Sequence, residues 1–201
     1  MTVAIWNLKK SILQMMAMIF MFHGTGGTPD DNWFPWLKKE LEERHHTVIV
    51  PALPSSDHPK LEVWMQGLQE SMEAADEDTI LIGHSLGGTL VLRILEKLPC
   101  TVRACFLVAP VSEMMGNDFD SLVSTFIDHP FDWMKIKNHT AVRKIFHADD
   151  DPYIPLSHAR KLANNIDASL TVIAGGKHLN ANAGFHTFPL LRGAVEESLK
   201  R

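Results

Sequence analysis

The stretch Ile80-Leu81-Ile82-Gly83-His84-Ser85-Leu86-Gly87-Gly88 constrains this chain more than any other, because it sets a serine in G-x-S-x-G spacing between a strand-like and a helix-like run. Residues 79–82 are apolar and β-branched. Residues 86–98 carry Leu90, Val91, Ile94, Leu95 and Leu98 at helical spacing and meet Pro99. A sharp turn at such a junction pushes the serine hydroxyl out of the sheet and needs glycine two residues to either side, where neighbouring chain passes close. The spacing alone recurs by chance; its position between strand and helix makes Ser85 a candidate nucleophile.

The rest of the chain repeats the alternation. Strands are expected over 18–22, 47–50, 79–82, 102–108, 142–146 and 170–173, and helices over 33–44, 61–74, 86–98, 155–165 and 181–200. This order predicts an α/β chain with a mostly parallel six-stranded sheet covered by helices on both faces. Residues 111–140 are longer than an ordinary connection and carry Phe119, Phe126, Phe131 and Trp133, as a lid or binding element would. With 201 residues and 45% hydrophobic content, one domain over 17–201 is expected, preceded by a loose extension over 1–16. Lys9-Lys10 followed by an apolar run superficially resembles a secretory signal. No small-residue cleavage site follows, removal would delete the first strand, and the run is too short to span a bilayer.

Charged residues make up 21% and the formal net charge is −5, which offers no electrostatic footprint for nucleic acid or an anionic membrane. The two cysteines, Cys100 and Cys105, lie in positions that suit reduced core thiols, so a cytoplasmic protein is expected. Neither a phosphate-binding G-x-x-x-x-G-K-[ST] nor a complete G-x-G-x-x-G occurs, and there is no H-E-x-x-H or C-x-x-C. Asp149-Asp150-Asp151 lacks the spaced ligands of a calcium loop. No cofactor and no metal are expected. Asn138-His139-Thr140 has glycosylation spacing, which carries no weight in a cytoplasmic chain.

A serine hydroxyl needs a histidine to take its proton and a carboxylate to fix that histidine's tautomer. Downstream of Ser85, residues 145–155 offer three aspartates after a strand. Pro152 and Pro155 stiffen the loop around Asp151, which favours it as the acid, with Asp149 as the rival facing the same way. His178 follows the last strand and a glycine-rich turn and is the candidate base; His186, in the expected final helix, is its competitor. His84 is read as a packing or supporting residue. An oxyanion needs aimed donors, for which the backbone N–H of Leu86 and that of Thr25, in the His23-Gly24-Thr25-Gly26-Gly27 turn, are the candidates.

With these pieces in place the chain resembles the small serine hydrolases grouped with retinoblastoma-binding protein nine and YdeN. The segments that carry the resemblance are 33–41, the elbow Ile82-Gly83-His84-Ser85, the run 130–137 with Phe131 and Trp133, and Asp150-Asp151-Pro152-Tyr153-Ile154-Pro155. The resemblance implies a compact α/β-hydrolase fold without a large cap domain and a triad of Ser85, Asp151 and His178. It favours Asp151 over Asp149, because the family acid directly precedes the proline. Some members bind a pocket protein through L-x-C-x-E; that motif is absent here, so a protein partner is without a motif to support it.

These readings lead to an expected serine hydrolase acting on a small ester or related acyl bond through an acyl-enzyme intermediate, with Phe131 and Trp133 in the acyl pocket. The alternatives are an interaction module on a hydrolase scaffold, and a peptidase or acyltransferase using the same triad. The expected partner is a small-molecule acyl substrate.

Overall fold

The computed structural model describes residues 16–200. The expected extension over 1–16 lies, apart from Met16, outside the described residues. Six parallel strands form one sheet: β1 Met18–Phe22, β2 Thr47–Ile49, β3 Ile80–His84, β4 Val102–Val108, β5 Thr140–Ala148 and β6 Ser169–Ile173, in the order β2-β1-β3-β4-β5-β6. The chain builds outward from β1 to one edge, returns, and then adds β3 to β6 on the other side. The reversal falls between β1 and β3, where the crevice beyond the carboxyl ends of an open α/β sheet takes ligands.

Seven α-helices are described: α1 Phe34–Glu42, α2 Leu61–Glu73, α3 Leu86–Leu95, α4 Asp120–Ile127, α5 Trp133–Asn138, α6 Leu156–Asn165 and α7 Pro189–Leu199. Strand alternation divides the core between the two faces. Phe20, Phe22, Leu81, Leu107 and Ile145 point to the side covered by Trp64 of α2, Leu90 of α3, Phe126 of α4 and Leu162 of α6. Ile19, Met21, Ile80, Ile82 and Phe106 point to the side covered by Leu37 and Leu41 of α1 and by Leu191 and Val195 of α7. All ten residues of α3 are buried, so this helix is central to the packing. Among the described residues there is no large cap domain.

Two expected boundaries are corrected. The last helix begins at Pro189 rather than at residue 181: residues Ala181–Ala183 form one 3-10 turn that ends at Gly184 in the left-handed region, φ 86°. Proline, with φ preset and no N–H to satisfy, then opens α7. His186 consequently lies in the connection before that helix. The segment expected as a long connection over 111–140 folds into α4 and α5, fastened by buried Arg93 of α3. Its guanidinium donates to the carbonyls of Phe126 at 2.9 Å and His129 at 2.6 Å and pairs with Glu96 at 2.9 Å.

The turn into α3 leaves no space for side chains. A Cβ on Gly83 would lie 2.3 Å from the Gly87 carbonyl oxygen, and one on Gly87 would lie 2.1 Å from that of Phe22. Alanine at either position is expected to cost more than about 3 kcal/mol or to prevent folding. Gly193, on the exposed side of α7 with nothing near its absent Cβ, is the control: Gly193→Ala is expected to gain about 0.5–1 kcal/mol. Urea unfolding of the three variants checks both directions.

Candidate active site

Ser85 sits between β3 and α3 at φ 55°, ψ −122°, a conformation that L-residues rarely adopt. Such strain costs on the order of 1–3 kcal/mol and persists only where the surroundings over-determine it. Here the Ser85 N–H donates to the Val108 carbonyl at 2.8 Å, its own carbonyl accepts from Gly88 N–H at 2.9 Å, and the glycine contacts above lock the turn. Leu86 begins α3, so its N–H has no acceptor within the helix.

The turn after β1 lies directly on this elbow. A Cβ on Gly24 would be 2.8 Å from the Ser85 Cβ and 3.2 Å from the Leu86 nitrogen, which brings neighbouring Thr25 to the same place. Buried His23 holds the turn. Its Nδ1–H donates to the Gly24 carbonyl at 3.0 Å, and its Nε2 accepts from Leu53 N–H at 3.1 Å. Both bonds together require one neutral tautomer, in keeping with the burial that lowers this imidazole's pKa.

Three successive aspartates after β5 each grip the turn after β6. Asp149 accepts from Gly175 N–H at 2.9 Å, and Asp150 accepts from Lys177 N–H at 2.8 Å and pairs with its ammonium at 2.7 Å. Asp151 accepts from His178 Nδ1–H at 2.8 Å. Its other oxygen accepts from the N–H groups of Tyr153 and Ile154 at 2.9 and 3.1 Å. Burial pushes the Asp151 carboxyl up, but the hydrogen bond and charge of His178 and these two amides outweigh it, leaving its pKa below the usual range. With Nδ1 carrying the proton toward Asp151, Nε2 of neutral His178 is a bare acceptor. Of the two aspartates weighed as acid, Asp151 therefore reaches the histidine, while Asp149 is engaged by backbone.

His178 is also held from behind. Buried His84 donates Nε2–H to the His178 carbonyl at 2.9 Å, and Trp33 donates its indole N–H to the Leu179 carbonyl at 3.1 Å. Burial drives the His84 pKa down to about 3, with the neighbouring His178 adding to the shift.

Ser85, His178 and Thr25 line one cavity of about 330 Å³ at the switch point, together with Asp31, Asn32 and Asn180. Phe131 and Trp133 do not join them; they line a separate cavity of about 400 Å³ with Glu113, Met114 and Lys161. There the Arg93 guanidinium lies 3.7 Å from the Phe131 ring centroid, with Trp133 stacked on that ring at 4.8 Å. The aromatic that does meet His178 is Tyr153, 5.0 Å away at 87°. Its place directly after Asp151-Pro152 was the available signal. A larger groove of about 610 Å³, lined by Met65, Met72, Ile94 and Leu98, contains none of these groups. Among the described residues no cluster of His, Cys, Asp or Glu is placed to hold a metal ion, and no helix is long and apolar enough to cross a membrane.

This geometry has relatives. The sequence model of the serine hydrolase family matches residues 19–197. YdeN of Bacillus subtilis is 28% identical over 177 residues, which cover 88% of this chain and 93% of that protein. Serine hydrolase RBBP9 of Rattus norvegicus is 27% identical over 171 residues, covering 85% and 89%. The crystal structure of the B. subtilis ydeN gene product is similar with a TM-score of 0.88 at 27% identity, over 92% of this chain and all of that one. Est1E of Butyrivibrio proteoclasticus, solved with ferulic acid bound, shares the fold with a TM-score of 0.70 at 16% identity, over 92% and 88%.

Burial also lowers the pKa of His147, as it does those of His23 and His84. The unfolded chain therefore takes up protons on these groups below about pH 6.5 while the native state does not, so stability falls as pH drops through that range. For His84 alone, the shift from 6.5 to about 3 corresponds to roughly 5 kcal/mol at most. His84→Gln keeps an amide donor for the His178 carbonyl and is expected to flatten this slope. Urea unfolding at about pH 7 and about pH 4.5 checks it, and equal losses in variant and wild type would contradict the assignment.

Proposed function

The chain belongs to the serine hydrolase family, and from that premise we propose that it cleaves a small ester or related acyl bond through an acyl-enzyme formed on Ser85, within one domain over 17–201. The observation that carries this reading is that Ser85, on its strained elbow, lines the same cavity as His178, whose Nδ1–H is committed to Asp151. The Ser85 Oγ attacks the acyl carbon as its proton passes to His178 Nε2. The Asp151 carboxylate, held ionised by its hydrogen bonds, stabilises the imidazolium. The N–H groups of Leu86 and Thr25 receive the oxyanion as the tetrahedral centre forms. Its collapse transfers the His178 proton to the leaving group, and a water activated by the same histidine releases the acid and restores Ser85.

A cavity of about 330 Å³ is near the lower end of small-molecule sites, which supports a small substrate. No cofactor enters this chemistry. We further propose a cytoplasmic location, supported by two free cysteines, of which Cys105 is buried with its thiol pushed up to about 12 by that burial.

A fluorophosphonate probe tests the reading. It is expected to modify Ser85, as mapped on the labelled peptide, and to fail on Ser85→Ala and His178→Ala. Ester turnover is expected to fall by roughly 10⁴-fold or more in Ser85→Ala and by roughly 10²–10⁴-fold in Asp151→Asn. A folded wild-type protein that takes no label would overturn the proposal and leave an interaction module on this scaffold.

A further inference from the structure

Two aromatic rings, Tyr153 against His178 and Phe119 against Tyr153, stand in the open, whereas Trp33, Trp64, Phe22 and Phe106 are fully buried. Tyr153 is 39% exposed and Phe119 43%. They meet edge to face, with centroids 5.2 Å apart and planes at 74°, and Tyr153 meets the His178 imidazole in the same manner at 5.0 Å. Two perpendicular exposed faces thus form a corner that continues from the proposed base.

The corner is built rather than incidental. The Asn117 side chain donates from Nδ2 to the Tyr153 carbonyl at 3.0 Å, and its Oδ1 accepts from Phe119 N–H at 3.0 Å, so one amide fixes both residues. Tyr153 is tied again through its N–H to Asp151, and Asp120 accepts from the N–H groups of Met115 and Gly116 at 2.7 and 2.8 Å. Rings fixed in advance bind a ligand with little ordering cost. The Ser85 cavity itself is lined mainly by glycines and polar side chains, among them Thr25, Asp31, Asn32 and Asn180, and contains no aromatic ring besides the imidazoles of His84 and His178. Phe131 and Trp133 are committed to Arg93. The Tyr153 ring against His178 connects the Phe119–Tyr153 corner to the rim of the Ser85 cavity, and rings at a steep angle favour a flat aromatic group, stacked on one and edge-on to the other.

We propose that Tyr153 and Phe119 are specificity-determining residues that seat an aromatic ring of the substrate, which makes the preferred substrate an aryl-bearing ester; this rests on the hydrolase reading of Ser85. The experiment measures kcat/KM for two matched pairs: phenylacetyl against acetyl esters of one alcohol, and benzyl against ethyl esters of acetic acid. The ratio within a pair cancels any loss of fold or of nucleophile activation common to both members. Wild type is expected to favour the aryl member of at least one pair by about tenfold or more, and the pair concerned tells whether the ring rides on the acyl or the alcohol side. Phe119→Ala is expected to bring that ratio close to one, whereas Tyr153→Phe, which keeps the ring, retains it. A wild-type protein labelled at Ser85 by the fluorophosphonate but with both ratios near one would overturn the corner alone, as would an unchanged ratio in Phe119→Ala. Absence of both labelling and turnover would overturn the hydrolase reading and the corner with it.

Discussion

The first turn of α3 crosses the carboxyl ends of β1 and β3 at a distance that admits only backbone, and the remainder of the site depends on that contact. The absent side chain of Gly87 would meet the carbonyls of Phe22 and His23, and that of Gly83 would meet Gly87 itself. Because α3 is buried along its whole length, this approach is enforced by the packing of a large apolar surface rather than by the turn. The helix cannot lie there unless the chain between Gly83 and Gly87 doubles back, and Ser85 takes the strained conformation as the consequence. The same crossing brings the turn after β1 against the elbow, so Ser85, Leu86 N–H and Thr25 converge for one mechanical reason.

Much of the fold is legible because strand alternation and helical spacing are local. The expected bounds of β1 and β4 coincide with the observed Met18–Phe22 and Val102–Val108, where apolar runs are long and end in clear breaks. The final helix was less legible. Ala181-Asn182-Ala183 has helical composition, but the Asn180 side chain accepts from Ala183 N–H at 3.2 Å, closing a single turn, and Gly184 then leaves the helical region. Between 111 and 140 helix is present where the sequence suggests only a long connection: Val123 and Phe126 are spaced for one face of a helix and are buried on it.

Within the site, legibility follows the same division between local and distant causes. Ser85, Asp151 and His178 stand out as candidates because each occupies a turn whose chemistry is written in its immediate neighbours: glycines at the elbow, prolines after the aspartate, glycines before the histidine. The direction in which Phe131 and Trp133 face was not readable. Phe131 packs under a guanidinium on α3, and the sequence around residue 93 says only that it lies in a helix. Tyr153 escaped attention for a related reason: its neighbours mark the acid, and only the folded chain shows that its ring continues from the imidazole.

The histidines around the proposed base show why the site tolerates so many imidazoles in a small volume. His84 lies 5.0 Å from His178, ring to ring, and a cation there would oppose the positive charge that must develop on His178 as it takes a proton. Burial keeps His84 neutral, and its Nε2–H serves the His178 carbonyl instead. His147 presents the mirror case on the other side of the carboxylate. Its Nε2 is 4.0 Å from Asp151 Oδ2, near enough for a charged imidazole to compete with His178 for that oxygen. It donates to the Ile154 carbonyl at 3.0 Å, and its Nδ1, buried without a hydrogen-bond partner, is the bare nitrogen expected of the neutral tautomer. Burial lowers the pKa of His147 too, so the Asp151 charge stays directed at His178. Two buried neutral imidazoles thus flank the pair, each spending its single N–H on a backbone carbonyl, and of the three imidazoles only that of the proposed base bonds to the Asp151 carboxylate.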